Sequence, residues 1–194
     1  MQTKFKIILL VTLLAGLLLT GCNGFAYQRI SNGQPVGWGC ATVHYRIDVS
    51  GMPSLAWGQH IHDAFRAASA ATGIPVHYDG RLPAGYAATH GWQSSPGDPV
   101  WVGYKPFDDP PVASSGFTEP TFSGNRITGG KIWFNTLWRW TRTNHKQAVW
   151  HEVGHLFGLA HPTDRTNQVM GVHSPPYQSG DLLGFRGLRR PSTC

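Results

Sequence analysis

Cysteine is scarce in this chain: three residues among 194, at Cys22, Cys40 and Cys194. Three is an odd number for a disulfide framework, and none of the three has metal-ligand spacing to a histidine. Acidic residues are also few, 10 against 16 Lys and Arg, which leaves a formal charge of +6. Lys4 and Lys6 account for two of those charges; residues 1–21 hold no acid, so the rest of the chain carries +4. That balance suits an anionic membrane or wall, and it suits plain solubility equally well. No interleaved basic and aromatic motif accompanies it, so no nucleic-acid partner is expected. No internal repeat and no second linker interrupts the body of the chain, which suits one domain with one main core. The apolar run Ile7–Leu19 is too short for a comfortable membrane span.

That run follows Lys4 and Lys6 and so reads as the h-region of an export signal rather than as part of the fold. It ends in Leu19-Thr20-Gly21-Cys22, which resembles a bacterial lipobox. The resemblance implies cleavage before Cys22 and lipid on that residue, anchoring an exported protein to a membrane of the cell envelope. A plain secretory signal cut nearby is the alternative, giving a secreted protein. Residues 1–21 are therefore expected to be a signal peptide and 22–39, rich in Gly and polar residues, a lipidated tether. The folded domain is expected over 40–194. Export reaches an oxidising compartment, where Cys40 and Cys194 would remain as one pair for a disulfide; a frayed, free Cys194 is the other option.

Eleven residues carry the chemistry: His151-Glu152-Val153-Gly154-His155-Leu156-Phe157-Gly158-Leu159-Ala160-His161. They spell H-E-x-x-H-x-x-G-x-x-H, the extended zinc-protease motif. Four residues apart on a helix, His151 and His155 share a face and reach one metal ion. Glu152 falls beside the metal, where a general base acting on water belongs. On a continued helix His161 would lie roughly 15 Å beyond His151, so the chain must turn first. Gly158 is the residue able to take a positive φ and end the helix. Downstream, Met170 in Asn167-Gln168-Val169-Met170-Gly171 offers an apolar floor beneath the ligands.

With these residues the chain resembles the metzincin metallopeptidases, and within them a short bacterial matrixin-like form. The resemblance implies His151, His155 and His161 as zinc ligands, Glu152 as catalytic base, Gly158 as the turn and Met170 as the Met-turn. Asp181-Leu182-Leu183-Gly184-Phe185-Arg186-Gly187-Leu188 is similar to the closing matrixin helix, with Gly180 in place of that helix's first Asp. Pro162 looks more like the serralysin group, and Val172 stands where serralysins and astacins carry a Tyr ligand, which favours a three-histidine site. No P-R-C-G cysteine switch occurs; Gly37-Trp38-Gly39-Cys40 is the one candidate thiol segment and is not expected to act as one. The expected activity is zinc-dependent endopeptidase chemistry on a peptide or protein, by a monomer. Hydrolysis of cell-wall peptide amides and a catalytically silent zinc-binding module are the rivals. Calcium at Asp108-Asp109 is an option that lacks support, a solvated loop pair being the preferred reading.

The element order predicts an α+β domain, a mixed sheet with helices packed on it. The metzincin resemblance implies a twisted sheet with two long helices and an active-site cleft, between an upper subdomain over 40–158 and a small lower one over 159–194 after His161. Strands are expected over Cys40–Val49, Ile74–Tyr78, Pro99–Tyr104 and within Ile127–Asn135. A helix capped by Ser54 should bury Trp57, Ile61, Phe65, Ala68 and Ala71 and stop at Gly73. His60 and His62 fall off that stripe and are read as surface residues. Residues 80–98 and 105–125 read as loops, although the family resemblance calls for an edge strand around Gly116–Ser123. The active-site helix should begin near Asn144 with Gln147 as capping partner. His173 is read as a loop histidine rather than a pocket residue; Tyr177 either assists an oxyanion or packs.

Overall fold

The structure, a computed structural model, describes residues 35–89, 97–107, 114–162, 168–171, 174–188 and 193–194. Cys22, Asp108, Asp109, Val172 and His173 lie outside the described residues. No helix among the described residues is long and apolar enough to cross a membrane.

Five strands form one mixed sheet in the order β2-β1-β3-β5-β4. They are β1 (Val43–Ile47), β2 (Val76–Arg81), β3 (Val100–Lys105), β4 (Gly116–Ser123) and β5 (Arg126–Asn135). The first three and β5 run parallel; β4 joins β5 antiparallel at one edge, with Gly116 opposite Phe134 and Thr118 opposite Ile132. Alternation explains β1: Val43, Tyr45 and Ile47 are buried while His44 faces out. Three longer helices accompany the sheet: α1 (Gly58–Thr72), α2 (Arg142–Leu156) and α3 (Ser179–Gly187). The α+β class and the mixed sheet expected from the pattern are present.

The apolar stripe of α1 packs as its spacing predicts. Ile61, Phe65 and Ala68 are fully buried, and the Phe65 ring stacks on Tyr45 with centroids 4.0 Å apart. Gly73, left-handed at φ 74°, ends the helix. Its start differs from expectation. Leu55–Trp57 is a 3-10 turn and Trp57 is the cap position of α1; Ser54 makes no side-chain cap bond there.

His60 is a correction. It is buried, and its Nδ1 lies 2.9 Å from Nδ1 of His145 on α2. His145 Nε2 in turn stands 2.7 Å from the Tyr104 hydroxyl of β3. Burial first, and then the neighbouring His60, push the His145 pKa down to about 4. The pair is therefore a neutral polar link between α1, α2 and the sheet. His62 is half-buried against the Tyr45 hydroxyl, at 2.8 Å, and is not a free surface residue either. An off-stripe position on α1 becomes internal because α2 packs beside it, a fact one helix's periodicity does not contain.

The tether also ends sooner than expected. Val36 and Trp38 are buried in the core, and Trp38 Nε1 donates to the Leu156 carbonyl at 3.0 Å. Gly37 bridges to Arg126 at the start of β5. Within the segment read as loop, Tyr86–Thr89 forms a short helix. Gly116–Ser123 forms the edge strand that the family resemblance called for and the residue pattern did not mark. Cys40 and Cys194 are joined by a disulfide, with Cα atoms 5.4 Å apart, linking the entrance of β1 to the end of the chain.

Candidate metal centre

The first turn of α2 holds the helix in register. Thr141, extended at the cap position, accepts a hydrogen bond from Asn144 N through its hydroxyl, and Asn144 Oδ1 accepts from Thr141 N. This is a capping box one turn earlier than the predicted one, closed by Asn rather than Glu or Gln. Asn144 and Gln147 both line the cleft instead.

Further along the helix, His151 and His155 face the same side of α2. His151 Nδ1 lies 2.9 Å from the Val169 carbonyl, and His155 Nδ1 lies 2.8 Å from the Leu159 carbonyl. A carbonyl only accepts, so each Nδ1 carries the proton and each Nε2 presents a lone pair. The helix then closes in a Schellman arrangement: Gly158 N donates to the His155 carbonyl and Leu159 N to the Gly154 carbonyl, both at 3.0 Å. Gly158 sits at φ 99°, and a Cβ there would come within 2.6 Å of the Val36 carbonyl oxygen. The turn needs glycine for its dihedral and for its space. It brings His161 back, so that its Nε2 stands 2.9 Å from Nε2 of His151 and 3.2 Å from that of His155.

Three imidazole nitrogens thus face a common point, and at least two offer lone pairs that cannot donate to each other. Tetrahedral Zn–N bonds of about 2.0–2.1 Å place ligand nitrogens roughly 3.3 Å apart, close to the observed separations. The donor set fits one metal ion, and the three histidines form a group able to hold it. Burial lowers the His155 pKa to about 3, with His151 adding to the effect; burial also lowers that of His151. Both rings are neutral, the ligating form, at ordinary pH.

Glu152 reaches the edge strand. Its Oε2 lies 2.7 Å from the Thr118 hydroxyl of β4, which is also 2.9 Å from the Glu152 carbonyl. Burial pushes the Glu152 pKa up to about 7, and the Thr118 bond opposes that shift. A carboxyl raised in this way, beside three histidines able to hold a metal ion, is suited to accept and return a proton. Gly116 makes the approach feasible, because a Cβ there would lie 2.9 Å from Glu152 Cγ. Sequence reasoning identified neither Gly116 nor Thr118 as a site residue; only the antiparallel pairing of β4 with β5 carries them to Glu152.

Beneath the ligands, Met170 is buried against Gly154, leaving no room for a side chain at that helix position. The backbone of this turn is held by Asp181, a buried carboxylate on α3. It accepts from Val169 N at 2.9 Å, Met170 N at 3.1 Å and Gln178 N at 2.9 Å. Asp181 fixes the turn, and Val169 of that turn fixes the His151 ring, so the closing helix bears on ligand geometry. Gly180 is explained locally: a Cβ there would meet the Gln168 side-chain amide. Tyr177 packs. It is buried, and its hydroxyl donates to the Trp150 carbonyl at 2.8 Å rather than facing the cleft.

A cleft of about 980 Å³ runs over the site, lined on one side by Gly116, Phe117 and Thr118 and on the other by His151, Glu152 and His155. No protein-family model and no curated protein matches the chain.

Proposed function

We propose that the chain is a zinc-dependent endopeptidase of metzincin type, with His151, His155 and His161 as the metal ligands and Glu152 as general base. The observation that carries the reading is the convergence of three imidazole nitrogens beside one buried carboxyl, in a cleft bordered by a sheet edge. A zinc ion held there supplies Lewis acidity, acidifying water toward a pKa of about 7 and polarising a carbonyl.

The chain's own residues do the rest. The Val169 and Leu159 carbonyls hold two rings in the ligating tautomer. Glu152 takes the proton of the attacking water and passes it to the leaving amine. The Thr118 hydroxyl, donating to Oε2, steadies the Glu152 carboxylate before it takes that proton. An extended substrate would lie along β4, gaining strand-like hydrogen bonds and shielding the cleft from bulk solvent. The sequence Leu19–Cys22 supports an exported, lipid-anchored form of this enzyme.

The test is cleavage profiling on a peptide library, casein and purified cell wall, with and without chelator. Wild type should cut peptides and lose the activity on chelation. Glu152→Gln should retain zinc and lose at least about 10²–10⁴-fold in turnover. A Glu152→Gln chain with near-normal turnover would falsify the base assignment. Activity confined to purified wall would indicate the amide-hydrolase rival, and bound metal with no turnover on any substrate would indicate the silent module.

A further inference from the structure

A second cluster of ligating side chains lies on the far side of the sheet from the cleft. Register places His44 of β1 directly opposite His77 of β2, and Asp79 follows His77 by two residues. Period-two alternation puts all three side chains on one face. Tyr45 goes to the opposite face and stacks on Phe65 of α1. The face bearing the cluster is exposed: His44 is 50 % accessible, His77 66 % and Asp79 29 %.

The three side chains are already gathered. His77 Nδ1 lies 2.6 Å from Asp79 Oδ1, and His44 Nδ1 lies 3.0 and 3.1 Å from the two Asp79 oxygens. The two rings have centroids 5.4 Å apart, and one donor atom from each residue falls within 4.8 Å of the others.

We propose that His44, His77 and Asp79 form a second site for a divalent transition metal of the imidazole-preferring class, zinc being the probe. Two imidazoles and one carboxylate suit zinc, nickel or copper, whereas calcium and magnesium ask for all-oxygen sets. The exposed side leaves room for water or an outside ligand to complete the coordination. This ion would clip β2, an edge strand, to its neighbour β1. The site is independent of the cleft: β2 and β4 lie four strand spacings apart, roughly 19 Å at about 4.8 Å per spacing.

The experiment is metal counting after equilibrium dialysis of the chain against micromolar Zn²⁺, with and without excess Ca²⁺. Wild type should hold about two zinc ions per chain, the variants H77A, D79N and H155A about one each, and H77A/H155A none. Calcium should leave the counts unchanged. In the H155A background, zinc should slow amide hydrogen exchange in β2, and D79N should abolish that slowing. Because the three side chains are exposed, the H77A and D79N variants should fold, which a thermal melt checks. A wild-type chain with a single zinc, an H77A chain with the wild-type count, or zinc displaced by calcium overturns the proposal. A hydrogen-bonded His–Asp–His cluster without metal affinity would give the first of these.

Discussion

The Thr118 hydroxyl touches Glu152 at both carboxylate and carbonyl, yet nothing around Thr118 in the sequence marks it. Its neighbours Phe117, Glu119 and Pro120 form no chemical motif. Its value comes from strand pairing, and the same holds for Gly116. Thr118→Val keeps the shape and removes the donor. A hydrogen bond to a charged group is worth about 1.5–3 kcal/mol, so kcat should fall roughly tenfold to a hundredfold. Zinc content should stay unchanged, and Thr118→Ser should restore most of the rate. Steady-state kinetics on a cleaved peptide reads this, and an unaltered kcat would reduce Thr118 to packing. By contrast, the candidate ligands and base were legible residue by residue, because metal chemistry restricts both their types and their spacing. His60 was misjudged at the same scale: a polar residue beside an apolar stripe reads as surface until a second helix covers it.

Among the elements, α2 shows how one turn sets a site. The Schellman closure at Gly158 lets His161 face back toward His151 and His155. Gly158→Ala would need a left-handed non-glycine residue and would push against the Val36 carbonyl. Backbone strain of this kind costs about 1–3 kcal/mol, and displaced ligand geometry should weaken zinc binding as well. Thermal melting with and without zinc, together with a zinc titration, checks both effects. A variant matching wild type in both would mean that the turn tolerates a side chain. Strand β4 was the element least legible from residues alone. It is an edge strand of mostly intermediate burial with Pro120 inside it, so it shows neither clean alternation nor a buried apolar run. The start of α2 was misplaced by about one turn because Thr141 and Asn144 are both good capping residues, and the capping box that forms takes Thr141 as the cap and Asn144 as its partner.

For the molecule as a whole, the disulfide joins residues 154 apart in sequence and closes nearly the entire domain. The loop-entropy relation gives about 5 kcal/mol for a loop of that length, as an upper figure. Cys194→Ser should therefore lower the denaturant midpoint by up to that equivalent while leaving zinc content in place. Denaturation of oxidised, reduced and variant chains measures it; identical midpoints would show that the C-terminal end adds little. Sequence alone marked the candidate ligands and base and determined the turn, the α+β class and most strands, because each rests on local chemistry or on periodicity. It also reduced the cysteine pairing to one expected bridge. Only the tertiary structure decided that Val36 and Trp38 belong to the core, that His60 meets His145, and that Asp181 holds the turn bearing Met170. It alone gathered His44, His77 and Asp79 on one sheet face. The division follows from physics: spacing along a helix or strand is written in the chain, whereas contact between distant segments depends on which surfaces pack together, and no local pattern encodes that.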